Sequence, residues 1–173
     1  DVADRFQELV GYDLYERIQK EVNDKNFLIG SKVSAWEGFP GGFGTDGPDS
    51  PIIDLTEPIA LLKGLEERGA QFFIQSAGSP SITISLTQVD RRVPYFSYLH
   101  QFFAKELNKH IKPETVLIGS NFSPYTDGNN HLCAVEPEES SLLHYGAWCI
   151  EHDVVDMVAL GRQSLADPLL PLK

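Results

Sequence analysis

A chain of 173 residues with 42% hydrophobic and 23% charged content has the size and composition of one globular domain with a real core. Its formal net charge of -11 argues against nucleic acid or an anionic membrane as a partner, because gripping phosphate backbones needs clustered Lys and Arg. A local phosphate site remains compatible with that charge. No apolar run approaches the ~20 residues of a membrane span, and no signal-peptide pattern is present.

The two cysteines, Cys133 and Cys149, make neither a disulfide framework nor a zinc site, and both read as free thiols of a cytoplasmic protein. The chain starts at Asp1 and its one methionine is Met157, so it reads as a segment of a longer protein.

In chain order, Phe6, Leu9, Val10, Leu14 and Ile18 recur at helical spacing and predict a helix over 5–22. A strand follows over 27–34, with Lys32 near its end. The glycine-rich stretch Glu37 to Pro51 is either a surface loop or a lid at that strand end. No helix opens at its glycines, so it is not a dinucleotide fingerprint. Asp54 to Pro58 looks like a helix start, and the helix 58–68 stops at Gly69. A second strand covers 71–78, and 79–93 reads as a loop carrying Asp90, Arg91 and Arg92. A helix is expected over 94–110, with Phe96, Leu99, Phe102, Phe103 and Leu107 inward. The third strand spans 115–121, 122–137 is irregular, and helical spacing returns over 138–152. The last strand, 155–162, runs into a short turn closed by Asp167-Pro168.

Strand and helix thus alternate, and each strand is a nearly continuous apolar run, as expected for parallel strands covered on both faces. The class is α/β in one unit spanning 1–173. Small and polar residues gather at the C-terminal strand ends: Lys32, then Ser76-Ala77-Gly78, Gly119-Ser120-Asn121 and Gly161-Arg162. Ligands bind at such ends in open sheets and barrels alike. Gly161 permits close backbone approach, and Arg162 supplies a planar cation suited to phosphate.

Four motifs fall in a telling order: Arg5-Phe6, Gly30-Ser31-Lys32-Val33-Ser34, Leu65-Glu66-Glu67-Arg68-Gly69-Ala70, and Val158 through Asp167-Pro168. Together they resemble the NADH:flavin oxidoreductases of the old yellow enzyme type, including the 2,4-dienoyl-CoA reductase branch. The resemblance implies a TIM (β/α)8 barrel, of which this chain covers the C-terminal half, strands five to eight. It implies FMN as cofactor, NADH or NADPH as reductant, and an activated alkene or enoyl-type acceptor as substrate.

By that resemblance Lys32 faces the flavin N1 and C2 carbonyl as the catalytic cation. Gly119, Ser120 and Asn121 present backbone N–H groups to the FMN phosphate, Gly161 and Arg162 contact the same phosphate, and Ser76 and Gly78 border the substrate side. The sequence departs from the family over Ser123 to His131, an insertion after the phosphate turn. The family's fourth-strand His/His or His/Asn pair and its proton-donating Tyr belong to the other half. No metal is expected, since the five histidines, His100, His110, His131, His144 and His152, lack ligand spacing.

Two other readings use the same residues. The chain is a non-catalytic half-barrel, self-associating as a homo-oligomer or joined to a missing N-terminal half. Or it is a flavin-free TIM-barrel enzyme acting on a phosphorylated substrate.

Overall fold

The computed structural model describes residues 11–87, 95–122 and 141–172. The first helix, α1 (Tyr12–Val22), starts after Gly11 and ends at Asn23, both left-handed, and Asn23 N–H donates to Gln19 O at 3.0 Å. Its Tyr12 and Tyr15, three residues apart, are buried on one face. Residues 5–10 of the expected helix lie outside the described residues. Strand β1 (Gly30–Ser34) follows. The next helix, α2 (Thr56–Glu67), is entered through Asp54, whose Oδ1 accepts from both the Thr56 N–H (2.9 Å) and hydroxyl (2.6 Å). These two bonds hold the Asp54 carboxyl below its usual value. Gly69, at φ 86, turns the chain into β2 (Phe72–Ser76).

A four-residue helical turn, α3 (Ile84–Thr87), interrupts the stretch expected to be loop. Then come α4 (Tyr95–Asn108), β3 (Val116–Gly119), α5 (Leu142–Glu151), β4 (Met157–Val158), α6 (Arg162–Ala166) and a 3-10 turn over Leu170–Leu172. Asp90, Arg91, Arg92 and the Ser123–His131 insertion lie outside the described residues.

Among the described residues there are four strands, all parallel and in sequential order, β1-β2-β3-β4, with β1 and β4 as the edges. The order never reverses, so this sheet lacks the switch point of a doubly wound fold. Register puts Lys32, Ile74, Ile118 and Met157 at one level on one face. The opposite face carries Val33, Ala35, Phe73, Ala77 and Leu117, all buried. Leu61, Leu62 and Leu65 of α2, Phe103, Ala104 and Leu107 of α4, and Cys149 of α5 join that face in one core cluster. Among the described residues the expectation of two covered faces is not met. The described helices cover one face, and the face bearing Lys32 is only partly buried, with Met157 54% exposed.

The last strand is shorter than its apolar run suggests. The Asp156 carboxylate accepts the Leu117 N–H at 2.6 Å while Asp156 N–H donates to Leu117 O at 2.9 Å. A side chain thus takes a ladder position, and pairing begins only at Met157. Val154 and Val155 precede it as core residues, 2% and 1% exposed. Among the described residues no helix is long and apolar enough to cross a membrane.

Candidate functional site

The C-terminal strand ends open into a pocket of about 610 Å3, within the usual range of roughly 300–1,000 Å3 for small-molecule sites. Its floor is the open sheet face, formed by Lys32, Ile74, Ser76, Ser120 and Ala159. The rim turns add Ala77, Gly78, Asn121, Gly161 and Arg162, and Pro80, Leu86 and His100 close one side. Seven of the eight expected site residues meet here: Lys32, Ser76, Gly78, Ser120, Asn121, Gly161 and Arg162.

Gly119 is the exception. It is buried, and a Cβ there would come within 2.7 Å of Val155 Cγ1 and 2.9 Å of Phe122 Cε2. Its missing side chain makes room for core packing rather than for a ligand. Gly161 is the opposite case: a Cβ there would meet nothing within 4 Å, so the space above it is open. Gly78 holds φ 80 and donates its N–H to Trp36 O at 2.7 Å, which fixes the β2 rim turn against the segment after β1. Asn121 adopts φ 66, a left-handed conformation uncommon for a non-glycine residue, and its Nδ2 is shielded from solvent without a hydrogen-bond partner. The α6 turn is five residues long, too short to align many peptide dipoles, so anion attraction at this end rests on the Arg162 charge.

The glycine-rich stretch after β1 is a folded loop. Trp36 Nε1 donates to Pro51 O at 3.0 Å, Glu37 N–H to Phe43 O at 3.0 Å, and Asp54 N–H to Gly44 O at 2.9 Å. None of the residues from Glu37 to Pro51 lines the pocket.

His100, a residue the sequence offered no site role, lines the pocket while 3% exposed. Its Nε2 lies 2.9 Å from Leu86 O and its Nδ1 3.4 Å from Gln75 Nε2. Burial lowers its pKa, the Leu86 bond opposes that shift, and Lys32 adds to it. Its partners lie 14 and 25 residues away, beyond any local spacing rule.

The charge pattern is selective. In a chain with 25 Asp and Glu against 14 Lys and Arg, the lining residues among those described include Lys32 and Arg162 and no carboxylate. The two cations stand on β1 and after β4, three strand spacings apart, or roughly 14 Å along the sheet. That exceeds the reach of one ion pair, so the pair suits the two ends of an elongated ligand. Among the described residues no group of three or more His, Cys, Asp or Glu side chains is placed to hold a metal ion. Compared with known proteins, the chain matches no protein-family model and no curated protein.

Proposed function

We propose that the chain is the FMN-binding C-terminal half of a (β/α)8-barrel NAD(P)H oxidoreductase of the ene-reductase type. The observation that carries it is the pocket at the ends of the four described strands, whose described lining holds Lys32 and Arg162 and no carboxylate. Sequential parallel strands with helices on one face are what a sector of a closed barrel requires, the open face becoming its interior.

The residues fit the cofactor's chemistry. Arg162 beside the open space at Gly161 suits a phosphate, and the unpartnered Asn121 Nδ2 is a spare donor on the same rim. Lys32 at the far edge suits a ring on which negative charge builds up. FMN, when bound, passes a hydride from a nicotinamide to an activated alkene or enoyl-type acceptor. Lys32 contributes a fixed positive charge that stabilises the electron-rich ring, Arg162 orients the ligand by its anionic end, and Ser76 and Gly78 border the acceptor side.

Titrating the chain with FMN and with riboflavin, followed by flavin fluorescence, tests this. FMN is expected to bind, and Arg162→Ala to weaken FMN roughly tenfold while leaving riboflavin unchanged. Absence of any flavin binding by the chain, alongside binding of inorganic phosphate, would favour the flavin-free phosphate reading instead.

A further inference from the structure

The His100 cluster extends the flavin reading and rests on it. A carbonyl only accepts, so the imidazole Nε2 bears the hydrogen given to Leu86 O. Its Nδ1 is then the lone-pair site that accepts from the Gln75 amide. One neutral ring thereby joins β2, through Gln75, to the α3 turn, through Leu86. Gln75 is 1% exposed and its Oε1 has no partner, so the amide is turned to serve His100 at the expense of its own carbonyl. The α3 turn is held on its other side as well, because Thr83 Oγ1 donates to Glu37 O at 2.8 Å.

What this clamp positions is Leu86, itself 3% exposed and part of the pocket wall. Leu86 Cδ1 would lie 2.9 Å from a Cβ on Gly38, four residues past the end of β1. The wall therefore stands over the ends of β1 and β2, where Lys32 sits, and not over β4, where the chain runs into Arg162.

We propose that His100 is a positioning residue for the ring end of the site. It holds Leu86 as the apolar wall against which a planar ring packs, and it touches no reacting atom. Its effect falls on the ring and leaves the phosphate end alone.

The test uses FMN and riboflavin as probes on the full 173-residue chain. His100→Leu, which cannot donate to Leu86 O, is expected to weaken both ligands by the same factor, about tenfold, so that the FMN-to-riboflavin affinity ratio stays at the wild-type value. His100→Gln, which keeps a donor for Leu86 O, is expected to retain affinity within about threefold. In the free chain, nitrogen–proton correlation spectra should show the His100 hydrogen on Nε2.

If wild type binds FMN and His100→Leu binds it equally well, this proposal fails and the flavin reading stands. A collapse of the affinity ratio in His100→Leu also overturns it, since the damage would then reach the phosphate end. If wild type binds neither flavin, both the flavin reading and this proposal fall.

Discussion

Lys32 of β1 and Ile74 of β2 are register partners on the open face of the sheet. The level they share continues through Ile118 to Met157, so one cation stands in an otherwise apolar row. A lysine is costly in such a row only if it is desolvated, and Lys32 is exposed. Lys32→Met should therefore shift unfolding free energy by no more than about 0.5 kcal/mol in the ligand-free chain. It should weaken both FMN and riboflavin, by roughly ten- to a hundredfold if the ammonium meets a charge-bearing ring edge. Denaturant melts and flavin titrations on the same preparation separate the two effects. A large stability loss with intact flavin binding would make Lys32 a structural residue.

The two glycines that look alike in sequence should part company under the same substitution. At Gly119 an added methyl runs into Val155 and Phe122, both core residues. Gly119→Ala should cost about 1–3 kcal/mol of stability through overpacking. At Gly161 the added methyl meets nothing, so Gly161→Ala should leave the melting curve in place and reduce FMN affinity by obstructing the backbone. Equal effects on stability would refute this division, and thermal melts of the two variants decide it.

Why the sequence separated these cases so poorly is itself physical. Alternation and apolar runs mark strands and their ends, and Lys32, Ser76, Ser120 and Arg162 were legible because strand ends are where polar residues collect. Packing across sequence distance leaves no such mark. Val155 and Phe122 occupy the space that Gly119 leaves, and His100 answers to Gln75 and Leu86. An apolar run also says that a strand can be buried, without saying that a second layer is there to bury it. Phe72, Ile74, Val116 and Ile118 promised two covered faces, yet they lie on the face no described helix covers. The α3 turn leaves no periodic mark in the sequence, since four residues are too few for a period to show.

His100 makes stability depend on pH in a stated direction. Burial keeps it less basic in the folded chain than in the unfolded one. Below the unfolded value of about 6.5, the unfolded chain takes up a proton that the folded chain does not. The stabilisation from this group is complete above that pH and is lost as pH falls toward the folded pKa. The thermal midpoint should thus drop from pH 7 to 5.5, with this one group contributing at most about 1.4 kcal/mol per pH unit. His100→Gln should flatten that part of the slope. An unchanged slope would mean that other groups carry the acid sensitivity.

Cys149 gives the mirror-image prediction at alkaline pH. The thiol is wholly buried on α5 beneath the sheet, and burial pushes it up to about 11, with a hydrogen bond to Tyr145 opposing the shift. The thiolate is the reactive form, so alkylation by iodoacetamide at pH 8 should be slow in the folded chain and fast in denaturant. Mapping the modified peptide by mass spectrometry scores Cys149 separately from Cys133. Between the unfolded thiol value near 8.5 and the folded value, the unfolded chain has lost a proton that the folded chain retains. Stability from this group is therefore full below about pH 8.5 and falls as pH rises toward 11, by at most about 1.4 kcal/mol per unit. Cys149→Ala should remove that share of the alkaline slope. It should also cost some stability at neutral pH, since the sulfur packs in the core beside Tyr145. Rapid alkylation of Cys149 in the native chain at pH 8 would show that α5 opens readily, and the buried thiol could not then hold its proton to so high a pH.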